Sequence, residues 1–340
     1  MTSSTTRIVV AFVGLVLIAI ASCLCGATSI SWESFQSFLL GQLPPDPIER
    51  TILVELRLPR MFAGMVVGGS LAAAGVGFQS LFRNPLAEPY VIGASSGAAL
   101  GVAITIVAGL QFSFVSLGAT TLAAIVGSLC VVMVVLAIGS LSQSISTTSL
   151  LLAGVVIGSL VNAIVSALMF LFDQKAIVIM SWLMGSLAGS HWGTATMAGV
   201  VGGMGMLAIG LMSRQLDAYS LGDTASQSLG LDLRWFRWSV IGASSLATAG
   251  AVAASGVIGF VGLIAPHLAR SLVGPRHAVL LPMSICIGAA MMLIADAIAR
   301  TVIAPVELPV GIVTAILGCP FFLWLLFRSQ RRDAGLGVVA

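Results

Sequence analysis

The run Ile8–Ala27, IVVAFVGLVLIAIASCLCGA, holds no charged residue and begins directly after Arg7. A helix rises about 1.5 Å per residue and the hydrocarbon layer is about 30 Å thick, so about twenty apolar residues are needed to cross it. Ile20-Ala21-Ser22-Cys23 within the run resembles a lipoprotein cleavage box. The run is longer than a leader's apolar core, however, and more of its kind follow, so it reads as a retained helix. Further apolar runs lie near 58–81, 90–110, 116–139, 148–172, 193–213, 236–255, 257–272, 278–298 and 308–327, the two between 236 and 272 being hardest to separate. The expected fold is all-α: a polytopic membrane protein of about ten transmembrane helices, forming one transmembrane domain over 1–340.

Composition points the same way. Of 340 residues 58% are apolar and 8% charged, with a mean hydropathy of +1.11. Soluble domains carry about 25% charged residues, so a water-soluble enzyme and a disordered scaffold are both excluded. A net charge of +3, with the arginines scattered, gives no sign of a nucleic-acid partner. The five cysteines lie in or beside apolar runs without a CxxC pair. They read as buried free thiols rather than a metal site or disulfide framework, and no cofactor is implied.

Basic residues set the orientation. With the N-terminus in the cytoplasm, Arg7, Arg83, Arg214, Arg234, Arg237, Arg270, Arg276, Arg328, Arg331 and Arg332 fall at cytoplasmic ends, and an even span count places the C-terminus there too. Arg50, Arg57, Arg60, Lys175 and Arg300 then fall outside, as the exceptions. Gly64/Gly68, Gly97/Gly101, Gly154/Gly158, Gly185/Gly189 and Gly199/Gly203 have the GxxxG spacing that lets helices approach closely in lipid.

The chemistry that is missing narrows the function. Asp173, Asp296, Glu88 and Glu307 all lie at span ends, whereas an ion-coupled carrier keeps a carboxylate or histidine at mid-depth. The single lysine, Lys175, sits in no glycine loop, so no phosphate-binding P-loop is present. Gly93-Ala94-Ser95-Ser96-Gly97 satisfies the nucleophile-elbow pattern, with His191 and His267 as conceivable bases, but that elbow needs a strand–turn–helix setting. These serines read instead as caps of backbone amides, and His267 as a hydrogen-bonded structural residue. An energy source on another chain is implied, with an ion-coupled secondary transporter as the rival class.

The longest polar interruption runs over 214–237. Leu221, Ala225 and Leu229 recur at four-residue steps, Asp223 lies near the start of that pattern and Gly230 near its end. This describes a short amphipathic helix with an acid at its positive end and a glycine C-cap. It fits either an interfacial connector or a helix seated in a groove of a soluble partner.

Five blocks then occur in one order: Arg57-Leu58-Pro59-Arg60 with Gly75 to Gln79; Arg83-Asn84-Pro85-Leu86-Ala87-Glu88-Pro89 with Gly93 and Gly97-Ala98; Leu221-Gly222-Asp223 with Ala225 and Leu229-Gly230; Gly256 to Leu263 with Pro266-His267 and Arg270; and Glu307-Leu308-Pro309-Val310-Gly311 with Thr314 and Gly318. Over roughly 50–330 this closely resembles the FecCD family, the permease subunits of ABC importers for iron–siderophores, haem and vitamin B12. The resemblance implies a type II importer permease of ten helices in the cell (inner) membrane, working as a dimer, with a homodimer expected. It implies two cytoplasmic ATPase subunits docked through Leu221, Gly222, Asp223, Ala225, Leu229 and Gly230, and a soluble or lipid-anchored binding protein received at Arg57, Arg60 and Arg300. The cytoplasmic gate maps to Asn84 and Leu86, and less securely to Thr147 and Thr148. Relatives usually carry Asp at Glu88 and Ala at Cys319. The cargo implied is a metal chelate, a siderophore first, with haem and vitamin B12 as alternatives.

Overall fold

The computed structural model describes residues 4–336 apart from 27, 29, 43, 111, 112, 115, 116 and 141–146. The opening apolar run becomes α1 (Ser4–Leu24). Two short helices follow, α2 (Trp32–Leu39) and α3 (Pro47–Thr51); Asp46 caps α3 by accepting from the Ile48 amide at 2.8 Å, with Pro47 in the first turn. A π-helical stretch, Ile52–Arg57, leads into α4 (Leu58–Leu81). A 3₁₀ turn, Pro89–Ile92, precedes α5 (Ala94–Ala108), and two-residue strands, Ser113–Phe114 and Leu117–Gly118, pair antiparallel before α6 (Ala119–Ser140). Then come α7 (Thr147–Leu171), α8 (Asp173–Leu183), α9 (Trp192–Leu211), α10 (Ser213–Tyr219), α11 (Asp223–Ser228), α12 (Leu233–Ser255), α13 (Val261–Val273), α14 (His277–Thr301) and α15 (Val310–Leu336).

Among the described residues seven helices are long and apolar enough to span a bilayer, and α5, α13 and the first half of α15 are shorter apolar helices. Together they coincide with the ten runs expected from the sequence. The fold is all-α.

Two helices form the axis of the bundle. In α4, 17 residues are buried, most of them Gly, Ala or Ser, and α12 is almost as deeply enclosed. Small side chains are what permit this. A Cβ on Gly68 would strike the Gly288 carbonyl of α14, and one on Gly97 would strike the Gly127 carbonyl of α6. Not every GxxxG pair works in this way: Gly189 and Gly203 face open space, and the close contacts around α9 fall at Gly202 and Gly205 instead. By contrast α1 and α7 stay on the periphery, with Phe12, Leu17, Leu152, Val156 and Leu160 exposed on them. Of the five cysteines only Cys23 is buried, Cys286 is partly so, and Cys25, Cys130 and Cys319 are exposed, because they sit on outward faces of peripheral turns and helices.

The run near 257–272 is not helical throughout. Gly256, at φ 70° and ψ −162°, ends α12, and α13 begins only at Val261 after Phe260 in the left-handed region (φ 70°). Apolar composition continues across this break, so the sequence conceals it. Broken backbone inside such a bundle must find internal partners. Tyr90 supplies them, its hydroxyl donating to the Ile258 carbonyl at 2.7 Å and accepting from the Ile258 amide at 3.1 Å. Glu88 accepts from the Phe260 amide at 2.9 Å. Burial pushes the Glu88 carboxyl above the ordinary range, and that amide partly offsets the shift.

The bundle has two distinct ends. The N-terminus of α1, the C-terminus of α4, α10, α11 and the α13–α14 turn meet at the basic end, where Arg7 donates to the Leu272 carbonyl. The C-terminus of α1, α3, the N-terminus of α4 and the α14–α15 connection meet at the far end.

Candidate functional site

At the basic end α10 and α11 lie beneath the bundle as a bent pair. Leu216 and Tyr219 of α10 are buried, and the Tyr219 ring packs 4.9 Å from that of Phe236 at the start of α12. The Arg83 guanidinium lies over the Tyr219 ring at 4.2 Å from its centroid, and donates to the Tyr219 carbonyl at 2.9 Å. The chain then turns at Gly222, whose φ of 106° and ψ of 160° suit glycine alone. Asp223 opens α11, as expected for an acid at the positive end of a helix. Its two oxygens are also divided between Arg83 at 2.6 Å and Arg237 at 2.7 Å, so one carboxylate ties the short helix to the ends of α4 and α12.

Ser226 completes the pin, donating to the carbonyls of Gly222 at 2.6 Å and Ala218 at 3.0 Å. Gly230, at φ 84°, stops α11, and Leu231 returns a hydrogen bond to the Ser226 carbonyl. A six-residue helix has no stability of its own in water, so these tethers are what hold it. Ala225 is half-buried against them. Leu221 and Leu229, each 66% exposed, project from its two ends. The result is a rigid polar mount presenting two apolar knobs.

At the far end the arginines are placed differently. Arg57 is buried and donates to the carbonyls of Cys23 at 2.6 Å, Leu24 at 3.0 Å and Thr28. Arg300 is equally buried and donates to the carbonyls of Cys25 at 3.0 Å and Ser22 at 3.1 Å. Both therefore satisfy the orphan carbonyls that end α1. Arg60 instead pairs with buried Asp296 at 2.8 Å and with the more exposed Glu307 at 2.9 Å, while Asp296 also receives Arg300 at 3.0 Å. Around Asp296 two guanidiniums, Arg60 and Arg300, balance two carboxylates, Asp296 and Glu307, with Arg57 beside them; α3 and the π-helical stretch add Glu49, Arg50 and Glu55 at the same end.

A model of the FecCD transport family matches residues 14–328. The chain belongs to the FecCD transport family. It is 37% identical to the hemin transport system permease protein of Yersinia pestis, over 94% of this chain and 95% of that protein. It is 38% identical to a vitamin B12 import system permease protein of Vibrio cholerae, over 86% of this chain and 89% of the relative. A solved inward-facing conformation of a metal-chelate type ABC transporter superposes with a TM-score of 0.84 at 33% identity, covering 95% of this chain and 99% of that one. The protein is thus a type II ABC importer permease. It is a membrane transport subunit, with ATP hydrolysis residing in a separate subunit.

As a FecCD permease, the chain has its expected gate segment in an Asx turn. Asn84 Oδ1 accepts from the Leu86 amide at 2.9 Å, which leaves Leu86 exposed at the basic end beside Arg83. Thr147 and Thr148 open α7, following 141–146, which lie outside the described residues. The serine decoys resolve simply: Ser96 donates to the Gly93 carbonyl at 3.0 Å rather than capping an amide. His267 has no hydrogen bond among the described residues, whereas His191 caps α9 by accepting from Gly193 and Thr194.

Sequence reading missed α10 and the pairing of His277 with Asp217, whose side chains meet at 2.6 Å. Sixty positions separate the two, and only the fold brings them together. It also missed the backbone-stapling geometry of Arg57 and Arg300, because a capping arginine and a docking arginine look alike in a sequence.

Proposed function

We propose that this permease moves an iron chelate, a ferric siderophore first, from an external binding protein into the cytoplasm. It acts as one transmembrane unit paired with a second copy, and each copy seats one ATPase subunit on Leu221, Gly222, Asp223, Ala225, Leu229 and Gly230. The observation that carries this reading is the pinned α11 with its two exposed leucines. A monomeric membrane protein gains nothing by fixing apolar knobs on a polar mount, whereas central apolar anchors are what dominate protein interfaces. The basic end then faces the cytoplasm, with both chain termini, in accord with its arginines.

ATP binding would draw the two ATPases together, and α10 and α11, being tethered rather than free, would carry the movement into the bundle. The gate at Asn84, Leu86, Thr147 and Thr148 opens and closes in that cycle. The far rim receives the binding protein, with Glu307 as the exposed member of its Arg60–Glu307 pair and Arg60 set behind it. Arg57 and Arg300 support the rim from beneath through α1. Such a rim pair contributes orientation and encounter rate more than affinity. Named relatives handle hemin and vitamin B12, so these are the competing cargoes.

The test is uptake into proteoliposomes holding the permease, its ATPase and its binding protein. Radiolabelled ferric siderophore should accumulate only with ATP, and haem and cobalamin should not compete. Accumulation driven by an ion gradient without the ATPase would overturn the importer assignment, and preferential uptake of haem or cobalamin would overturn the cargo.

A further inference from the structure

The mount for α11 has a second, deeper attachment. On α10, Asp217 Oδ1 accepts from the backbone amide of His277 at 2.9 Å and lies 2.6 Å from its Nδ1. On the other side of the ring, His277 Nε2 lies 2.6 Å from the hydroxyl of Ser80. With Nδ1–H donated to the carboxylate, Nε2 is left as an acceptor, so Ser80 donates to it. His277 is buried at the first position of α14, and Ser80 occupies the last turn of α4.

What the chain of bonds does is join three elements. α10 carries the α11 mount, while α4 and α14 pack along their lengths, with Gly68 and Gly288 backbone to backbone. At the opposite end the same two helices are bonded again, Arg60 of α4 to Asp296 of α14 at 2.8 Å. α4 and α14 therefore form one strut, about 36 Å long from its residue count, fastened at both ends. In the Arg83–Asp223–Arg237 tether Arg83 and Asp223 are partly exposed and Arg237 is mostly enclosed; in the second tether Asp217 is partly exposed and the imidazole is enclosed.

We propose that Asp217–His277–Ser80 is the joint through which displacement of α10 and α11 enters the α4–α14 strut and reaches the far rim. In this arrangement Asp217 and His277 act as positioning residues for transport. The proposal rests on the reading that α11 seats an ATPase.

The experiment measures ATP hydrolysis and cargo uptake side by side in the fully assembled transporter, for D217N, H277Q, S80A and the D217N/H277Q pair. Uptake per ATP should fall on the order of tenfold in D217N and in H277Q, less in S80A, while hydrolysis stays within about twofold of the parent. The double variant should be no worse than the poorer single one, since both break the same chain of bonds. If hydrolysis and uptake fall together, the residues merely hold the fold, and the proposal is overturned. If uptake per ATP is unchanged, it is overturned as well. Failure of the underlying reading is separable: L221E would then leave the ATPase bound, whatever D217N does.

Discussion

The basic end and the far end of this bundle both concentrate arginine, yet they use it in opposite ways. At the basic end Arg83 and Arg237 divide one carboxylate, Asp223, on a helix that stands mostly in solvent. At the far end Arg57 and Arg300 are withdrawn from solvent and spread over the last carbonyls of α1. The first arrangement fixes a surface that another molecule can grip, and the second closes a helix end where water is scarce. An arginine at a span boundary is therefore not in itself a docking group. Its number of backbone acceptors decides which job it does.

The sharpest way to break this contrast is to remove the far end's central anion. Asp296 is 1% exposed and holds both Arg60 and Arg300. D296N keeps the shape but leaves enclosed Arg300 without a carboxylate and Arg60 with Glu307 alone, which costs about 3–5 kcal/mol. The thermal unfolding temperature of the nanodisc-embedded permease should drop markedly. An unchanged melt would mean that the far end is not held together by this cluster.

The opposite pattern is expected at the basic end. L221E together with L229E removes apolar anchors worth about 2 kcal/mol each at an interface. Both side chains are exposed in the isolated chain, so its own stability should move by less than about 0.5 kcal/mol. Co-purification of the ATPase should be lost while the melt stays put. Retained ATPase would show that the knobs serve some other surface.

A smaller loss is expected from G222A. Nothing lies within 4 Å of the place where a Cβ would go, so the substitution meets no steric obstacle. Its entire cost is the φ of 106°, about 1–3 kcal/mol for a residue other than glycine. α11 should tilt or fray, and ATPase capture should weaken several-fold without vanishing. Equal capture by G222A and the parent would show that the geometry of the turn is not what positions the leucines.

These expectations also mark what could be read in the sequence. The ten spans were legible because lipid demands long apolar runs, and composition alone reveals those. α11 was legible in part: Asp223 at its start and Gly230 beyond its end marked it, but Leu221 and Leu229 flank the six-residue helix instead of lying along one face of it. The α12–α13 break was not, since Gly256 to Phe260 is as apolar as the helices beside it and only backbone conformation distinguishes it. Short helices such as α8 and α10 lacked the length to give a periodic signal. The partners of Arg57, Arg300 and His277 come from segments far away in the chain, and several of them are backbone carbonyls, which every residue possesses. No pattern of side chains could announce them.

The finest distinction lies within the far rim itself. Arg60 is joined to Glu307, which is 38% exposed, and this pair adds at most about 1 kcal/mol to stability. Its charge nevertheless stands where an approaching binding protein would feel it. R60Q should slow association of that protein modestly, and more so in dilute salt, because the screening length is about 30 Å at 0.01 M and about 8 Å at 0.15 M. R57Q should lower the melt, as R60Q also does through Asp296, but should leave the salt dependence of association unaltered, since its guanidinium is committed to α1. Stopped-flow association rates at two ionic strengths separate the two residues. If R57Q alters the salt slope as strongly as R60Q, then the buried arginine leaves α1 when the partner arrives, and the boundary between stapling and docking at this end is a moving one.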